Sequence, residues 1–206
     1  MLVEQHFSTL TERQRQQFAA LPSIYERWNA CINVISRRDM DQFELHHVLH
    51  SLALAKVVQF KPMCQVLDLG TGGGFPGVPL AIMFPDTRFT LVDSIGKKIK
   101  VVQGVVDELG LTNVTAVNAR VETLDEQFDF VVSRAVAPLS QMVGWVRGKI
   151  SRIGYHNLHN GMLCLKGGDL TDELSPFGKR ITTWDVSSFF SDDYFTTKKI
   201  IHLPLK

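Results

Sequence analysis

One stretch limits the possible folds of this chain more than any other: VLDLGTGGGFPGVPLAI, from Val66 to Ile82. Val66–Leu69 reads as a short strand. Gly70, Gly72, Gly73, Gly74 and Gly77 then bend the chain into an apolar helix-like run whose first turn can take Pro76 or Pro79. Such glycines permit positive φ and let a ligand lie against bare backbone. The start of the helix offers unpaired N–H groups to an anionic group. A strand, a glycine turn and a helix form the opening unit of an open α/β sheet, which binds ligands at the carboxyl ends of its strands. A ligand-free turn is the plainer alternative, but five glycines at that edge argue against it.

The rest of the chain supplies partners for this unit. Phe89–Asp93, Val114–Asn118, Phe128–Ser133 and Met162–Lys166 read as strands, alternating with helical patterns over Gly77–Met83, Lys97–Leu109 and Pro138–Ile150. That alternation predicts a parallel sheet with helices on both faces. Ile181–Phe190 and Lys198–Leu203 are strand-like with no helix between them, which predicts an antiparallel hairpin closing one edge.

The region before the sheet reads as helical, giving a division into residues 1–60 and 61–206. Thr9 with Glu12, or Thr11 with Gln14, has capping-box spacing and opens a helix toward Ala20. Pro22 suits the first turn of a second helix running through Trp28 and Ile32. Asp41 caps a third, with Phe43, Val48, Leu52 and Ala55 on one face. Phe18, Trp28 and Phe43 read as core, whereas Phe75, on the glycine loop, is expected outside the main core.

A chain of 206 residues with net charge +1 suits one α/β domain with a small appendage. No run is long and apolar enough to span a bilayer, and the N-terminus lacks the apolar core of a secretory signal. Cys31, Cys64 and Cys164 are odd in number and widely spaced. They read as buried thiols in a reducing, cytoplasmic compartment. Near-neutral charge means that any basic surface is local. Nothing demands a dimer, so a monomer is expected.

Two ligands compete for the loop. Gly72, Gly74 and Gly77 match a dinucleotide fingerprint, with Asp93 at the distance of a ribose-binding acid. S-adenosylmethionine also carries a ribose, but no pyrophosphate. Asp68, just before the first glycine, suits a cationic ligand and favours the sulfonium.

Several further stretches accompany the loop: RWNACINVISRRD (Arg27–Asp39), HVLHSL (His47–Leu52), LVDSIGKK (Leu91–Lys98), NARVE (Asn118–Glu122), SRAVAPL (Ser133–Leu139) and LKGG (Leu165–Gly168). With DLGTGGGFPGVPLAI they make the chain resemble, over nearly its whole length, the bacterial glucose-inhibited division protein B family, also called RsmG. The resemblance implies a class I, Rossmann-like methyltransferase with a mostly parallel seven-stranded sheet after a short helical region. It implies S-adenosyl-L-methionine as cofactor and N7 of a guanine in 16S rRNA, free or in the small ribosomal subunit, as target. Carried over by position, cofactor contacts fall on Gly70 and Phe75, on Val121 and Glu122, and on Arg134, with Asp93 as the expected ribose partner; Gly72 joins them from the reading of the glycine loop. One position departs: His50 stands where the family has Asp in His-x-x-Asp-Ser, so no carboxylate role transfers to it.

Arg37, Arg38, Lys97, Lys98 and Lys100 are the basic clusters. As RNA contacts we select Arg37, Arg38, Lys97, Lys98 and Lys166, since RNA must approach the cofactor edge; a solvated face is the alternative. His46 and His50 are one turn apart, yet no third ligand is spaced to make a metal site, so the histidines read as packed or surface residues. No Ser–His–Asp or paired-carboxylate set is present. N7 of guanine carries a lone pair, so positioning is expected to replace acid–base chemistry. The rivals are a nicotinamide-dependent oxidoreductase and a non-catalytic rRNA-binding assembly factor.

Overall fold

In the computed structural model, which describes residues 1–205, β1 (Gln65–Leu69), β2 (Arg88–Asp93), β3 (Val114–Asn118), β4 (Phe130–Arg134) and β5 (Gly161–Gly167) are parallel. β6 (Thr182–Asp185) and β7 (Lys198–Pro204) complete a seven-stranded sheet in the order β3-β2-β1-β4-β5-β7-β6. β7 runs antiparallel to both β5 and β6. The order reverses between β1 and β4, where Val66 pairs Phe130 and Leu67 pairs Val131. This is the switch point at which open α/β sheets bind ligands.

Alternation along the strands divides the core between two faces. Val66, Phe130 and Val132 pack on one side, Leu67, Leu69 and Val131 on the other. The first face carries α1 (Leu2–His6), α2 (Glu12–Cys31), α3 (His50–Leu52), α4 (Gly77–Met83) and α5 (Gly96–Leu109). The second is covered by α6 (Leu139–Trp145) and by the segment of α7 (Thr171–Leu174).

α2 ties the helical layer to the α/β elements. It opens with the Thr11–Gln14 capping box: the Gln14 N–H donates to Thr11 Oγ1 at 3.3 Å and the Thr11 N–H to Gln14 Oε1 at 2.8 Å. Gln14 Nε2 also donates to the Ile82 and Met83 carbonyls ending α4, and Gln17 Nε2 to the Leu109 carbonyl ending α5. These side chains satisfy carbonyls that the helices leave unpaired. The Trp28 ring lies where a Cβ on Gly104 would sit, 2.0 Å from Trp28 Cζ2, which explains a glycine inside α5.

Several expectations change. α2 is one helix running through Pro22, not two. Buried Phe18, Leu21, Ile24 and Tyr25 form a stripe across the proline, and their packing outweighs its missing hydrogen bond. The third helix is not capped by Asp41. It is a 3-10 turn over Arg37–Gln42, a π-helical stretch over Glu44–Leu49, then α3 and another 3-10 turn over Ala53–Lys56. Its anticipated face, Phe43, Val48, Leu52 and Ala55, is nevertheless buried. The helix expected over Pro138–Ile150 stops at Trp145, close to Gly144 and to Gly148 with φ +79°. The strand expected over Ile181–Phe190 ends at Asp185 and continues as a 3-10 turn. Cys64 and Cys164 are buried, but Cys31 is exposed at the end of α2.

Candidate cofactor and substrate site

The glycine loop is folded over its own acid. Asp68 is fully buried; its Oδ2 accepts the Gly77 N–H at 2.8 Å and the Thr71 hydroxyl at 2.6 Å. Burial pushes its carboxyl up to about 7, against the pull of these two bonds and of Arg134. A Cβ on Gly77 would lie 2.6 Å from Asp68 Oδ2, so glycine is required for this approach. Asp68 therefore works behind the loop as its tether and is not among the residues lining the cavity. This corrects the expectation from sequence that its charge faces and selects a cationic ligand.

In front of the loop lies a cavity of about 390 Å³, at the carboxyl ends of β1, β2 and β4. Gly70, Gly72, Phe75, Asp93, Val121, Glu122 and Arg134 all line it, together with Val34, Lys98 and Trp145. The volume falls within the range of small-molecule sites. Gly72 has φ +60°, and a Cβ there would meet nothing closer than the Gly70 carbonyl at 4.0 Å. At Gly72 the loop thus presents open backbone, whereas at Gly70 glycine is needed for the close approach of Val136, whose Cγ2 lies 2.8 Å from the Cβ position.

Asp93 closes the loop from the next strand. Its Oδ2 accepts the Gly72 N–H at 3.0 Å, and its Oδ1 accepts the Ile95 N–H at 2.9 Å. A carboxylate has about four lone-pair positions; these two bonds leave acceptor capacity for a vicinal diol. Its capping role is the tight turn before α5 and not a bond into that helix. Lys98 Nζ lies 3.8 Å from Asp93 Oδ2, so Lys98 belongs to the cavity wall as well as to the basic cluster.

Phe75 departs from the expectation that it lies outside the main core. It is 4 % exposed and packs against Tyr25, Phe43 and His47 at centroid distances of 4.9, 5.9 and 5.1 Å. The helical layer supplies the aromatic cover that the loop alone lacks. Tyr25 adds a 2.6 Å hydrogen bond from its hydroxyl to the Gly73 carbonyl. Arg134 Cζ lies 5.0 Å from the Phe75 ring centroid. Arg134 is followed by Ala135 at φ +53°, a strained non-glycine conformation at the cavity wall.

Among the basic candidates, Arg37, Arg38 and Lys97 are exposed and lie outside the cavity lining. Lys166 is different: its side chain is 9 % exposed, and Nζ is bound to Glu173 Oε1 at 2.7 Å and the Ala137 carbonyl at 2.8 Å. It serves as an internal tie, in place of the free cation expected. Asp39, His46 and His47 do not stand out as a group in the sequence; in the fold they meet beside Arg134.

The sheet order, the glycine turn and the cavity at the switch point define a class I, Rossmann-like methyltransferase fold. A solved S-adenosylmethionine-dependent methyltransferase from Aquifex aeolicus superposes with TM-score 0.57 at 14% identity, covering 89% of this chain and 98% of that one. An rRNA methylase from Streptococcus thermophilus gives 0.51 at 12% identity, covering 77% and 95%. The family described as rRNA small subunit methyltransferase G, GidB, matches residues 14–195, and the chain belongs to it. It is 54% identical over 201 residues to the ribosomal RNA small subunit methyltransferase G of Flavobacterium johnsoniae, covering 98% of this chain and 96% of the relative. The corresponding protein of Porphyromonas gingivalis is 52% identical, covering 99% and 93%.

Proposed function

We propose that this protein transfers a methyl group from S-adenosyl-L-methionine to N7 of a guanine in 16S rRNA. The observation that carries the reading is the cavity between the Gly70–Gly77 loop and Asp93 in a chain of this family. Bare backbone at Gly70 and Gly72 would receive the methionine end, with Arg134 at its carboxylate. Asp93 would accept from the ribose hydroxyls, and Val121 and Glu122 would border the adenine. Phe75 contributes from the wall, by holding Arg134. Residues 61–206 would form the cofactor domain, with residues 1–60 as the helical layer against it.

Arg37, Arg38 and Lys97 would contact RNA phosphates, with Lys98 shared between RNA and the cofactor edge. Guanine N7 needs no deprotonation. The protein's task is to bring N7 into line with the sulfonium methyl and exclude water. Family membership gives no support to the nicotinamide rival. Mapping N7-methylguanine in 16S rRNA after incubation with this protein and S-adenosylmethionine tests the reading. A new methyl group at a guanine N7 is expected; labelled methyl elsewhere on rRNA would refute the atom, and none on naked rRNA or small subunits would refute the activity.

A further inference from the structure

Arg134 is held from behind by a chain of partners. Nη1 donates to the His46 carbonyl at 3.0 Å, and Nη2 lies 2.9 Å from His47 Nδ1. A guanidinium has no acceptor, so His47 Nδ1 is the lone-pair nitrogen. The ring proton is then on Nε2, which donates to Asp39 Oδ2 at 2.5 Å. Two neighbours thus fix one tautomer of a neutral ring. Asp39 Oδ1 lies 2.5 Å from His46 Nδ1, so a single carboxylate binds both adjacent histidines. Both rings stand on the π-helical stretch, a geometry frequent at functional sites. The guanidinium carbon also lies 5.0 Å from the Phe75 ring centroid.

We propose that His47, oriented by Asp39, is a positioning residue that aims the Arg134 guanidinium into the cofactor cavity. The inference rests on the cofactor reading of that cavity. A free arginine side chain must lose rotamer entropy to meet a ligand; one already held at both terminal nitrogens has lost it before the ligand arrives. His47 also packs against Phe43 and Phe75, so a merely structural role has to be separated from positioning.

Two substitutions make the separation. His47→Asn removes the ring but places an acceptor near the position of Nδ1. His47→Gln removes the ring but places its amide near the position of Nε2, leaving Arg134 without an acceptor. Both variants lose the ring that packs on Phe43 and Phe75; Gln keeps one methylene more, a packing difference that an Arg134→Met background would leave in place. Calorimetric binding of S-adenosylmethionine is expected to stay within about threefold of wild type in His47→Asn and to weaken by about tenfold or more in His47→Gln. In an Arg134→Met background the difference between the two should vanish. Asp39→Asn, outside the cavity, should weaken binding only while Arg134 is present. Equal losses in the two His47 variants, or a difference that persists with Arg134→Met, would overturn the inference and leave the cofactor reading intact. Wild-type protein that fails to bind S-adenosylmethionine would overturn both.

Discussion

The Gly72 amide and Asp93 Oδ2 are 3.0 Å apart, joining the glycine loop after β1 to the end of β2. The acid that lines the cavity also holds the loop that frames it. Asp93→Ala should therefore lose both the ribose acceptor and the closure of the loop. We expect S-adenosylmethionine binding to weaken by about 1.5–3 kcal/mol, the range for a hydrogen bond to a charged group. Calorimetry checks this; an unchanged dissociation constant would reduce Asp93 to its turn before α5.

Gly72 should tolerate substitution in the fold and not in the site. Gly72→Arg puts a long cation into the cavity, where a Cβ meets no protein atom closer than the Gly70 carbonyl at 4.0 Å. The left-handed backbone at φ +60° costs a non-glycine residue roughly 1–2 kcal/mol, less than a typical domain stability. The expected result is a cooperative thermal transition at modestly lower temperature with no measurable cofactor binding. Normal binding would place the cofactor elsewhere.

Local and long-range features are unequally legible in the sequence. β1, α4 and β3 can be placed because strand alternation, glycine punctuation and apolar runs are local signals. Seven cofactor candidates, drawn from the glycine loop and from the family resemblance, fall on one cavity because the carboxyl ends of the parallel strands meet there. The burial of Phe75 escapes sequence reading because its cover comes from Tyr25 and Phe43, residues far away along the chain. The Asp39–His47–Arg134 chain is hidden twice: α-helical spacing pairs His46 with His50, whereas the chain there is π-helical, and Arg134 is on β4. Lys166 shows its charge in the sequence but not its partner Glu173.

RNA affinity should respond to exposed cations and not to Lys166. Removing Arg37 and Arg38 together should reduce the slope of log affinity against log salt by roughly 0.7–0.9 for each phosphate left without its cation. Lys166→Ala should leave the slope unchanged and lower stability. It frees Glu173, whose Oε1 also accepts the Leu139 N–H at the start of α6 at 2.7 Å. Filter binding across a salt series and denaturant titration separate the two outcomes. A slope change from Lys166→Ala with normal stability would mean that its tie to Glu173 opens for RNA.

Stability should carry opposing acid and histidine contributions. Burial and the nearby Arg134 charge lower His47 to about 4 and His50 to about 3. Folded protein therefore binds fewer protons at these sites than unfolded chain, and their contribution is lost as pH falls below about 6.5. Asp68, raised to about 7 by burial, has the opposite sign: its folded form keeps a proton that the unfolded chain releases near pH 4. Its contribution falls as pH rises from about 4 to 7. Asp68→Asn should thus steepen the loss of stability toward acid, and His50→Asn should make it shallower, each by up to about 1.4 kcal/mol per pH unit. Urea titrations at pH 4.5, 5.5 and 6.5 would show it; parallel curves for wild type and both variants would mean these groups titrate normally.

The chemical step should be insensitive to pH. On the guanine-N7 reading the nucleophile already has its lone pair, so no side chain need remove a proton before the methyl moves. The cavity lining includes no histidine, and His47 and His50 stay neutral across mildly acidic to mildly basic conditions. Asp68 titrates inside that range, but it acts through the loop; saturating cofactor removes any effect on affinity from the measured rate. Single-turnover methylation at saturating S-adenosylmethionine and RNA should be nearly flat between about pH 6 and 9. His47→Gln should raise the cofactor concentration needed for saturation without adding a pH limb. A bell-shaped profile with one limb erased by a His or Glu substitution would reveal a general acid or base. The acceptor would then be a protonated nitrogen or a hydroxyl, and guanine N7 would be the wrong atom.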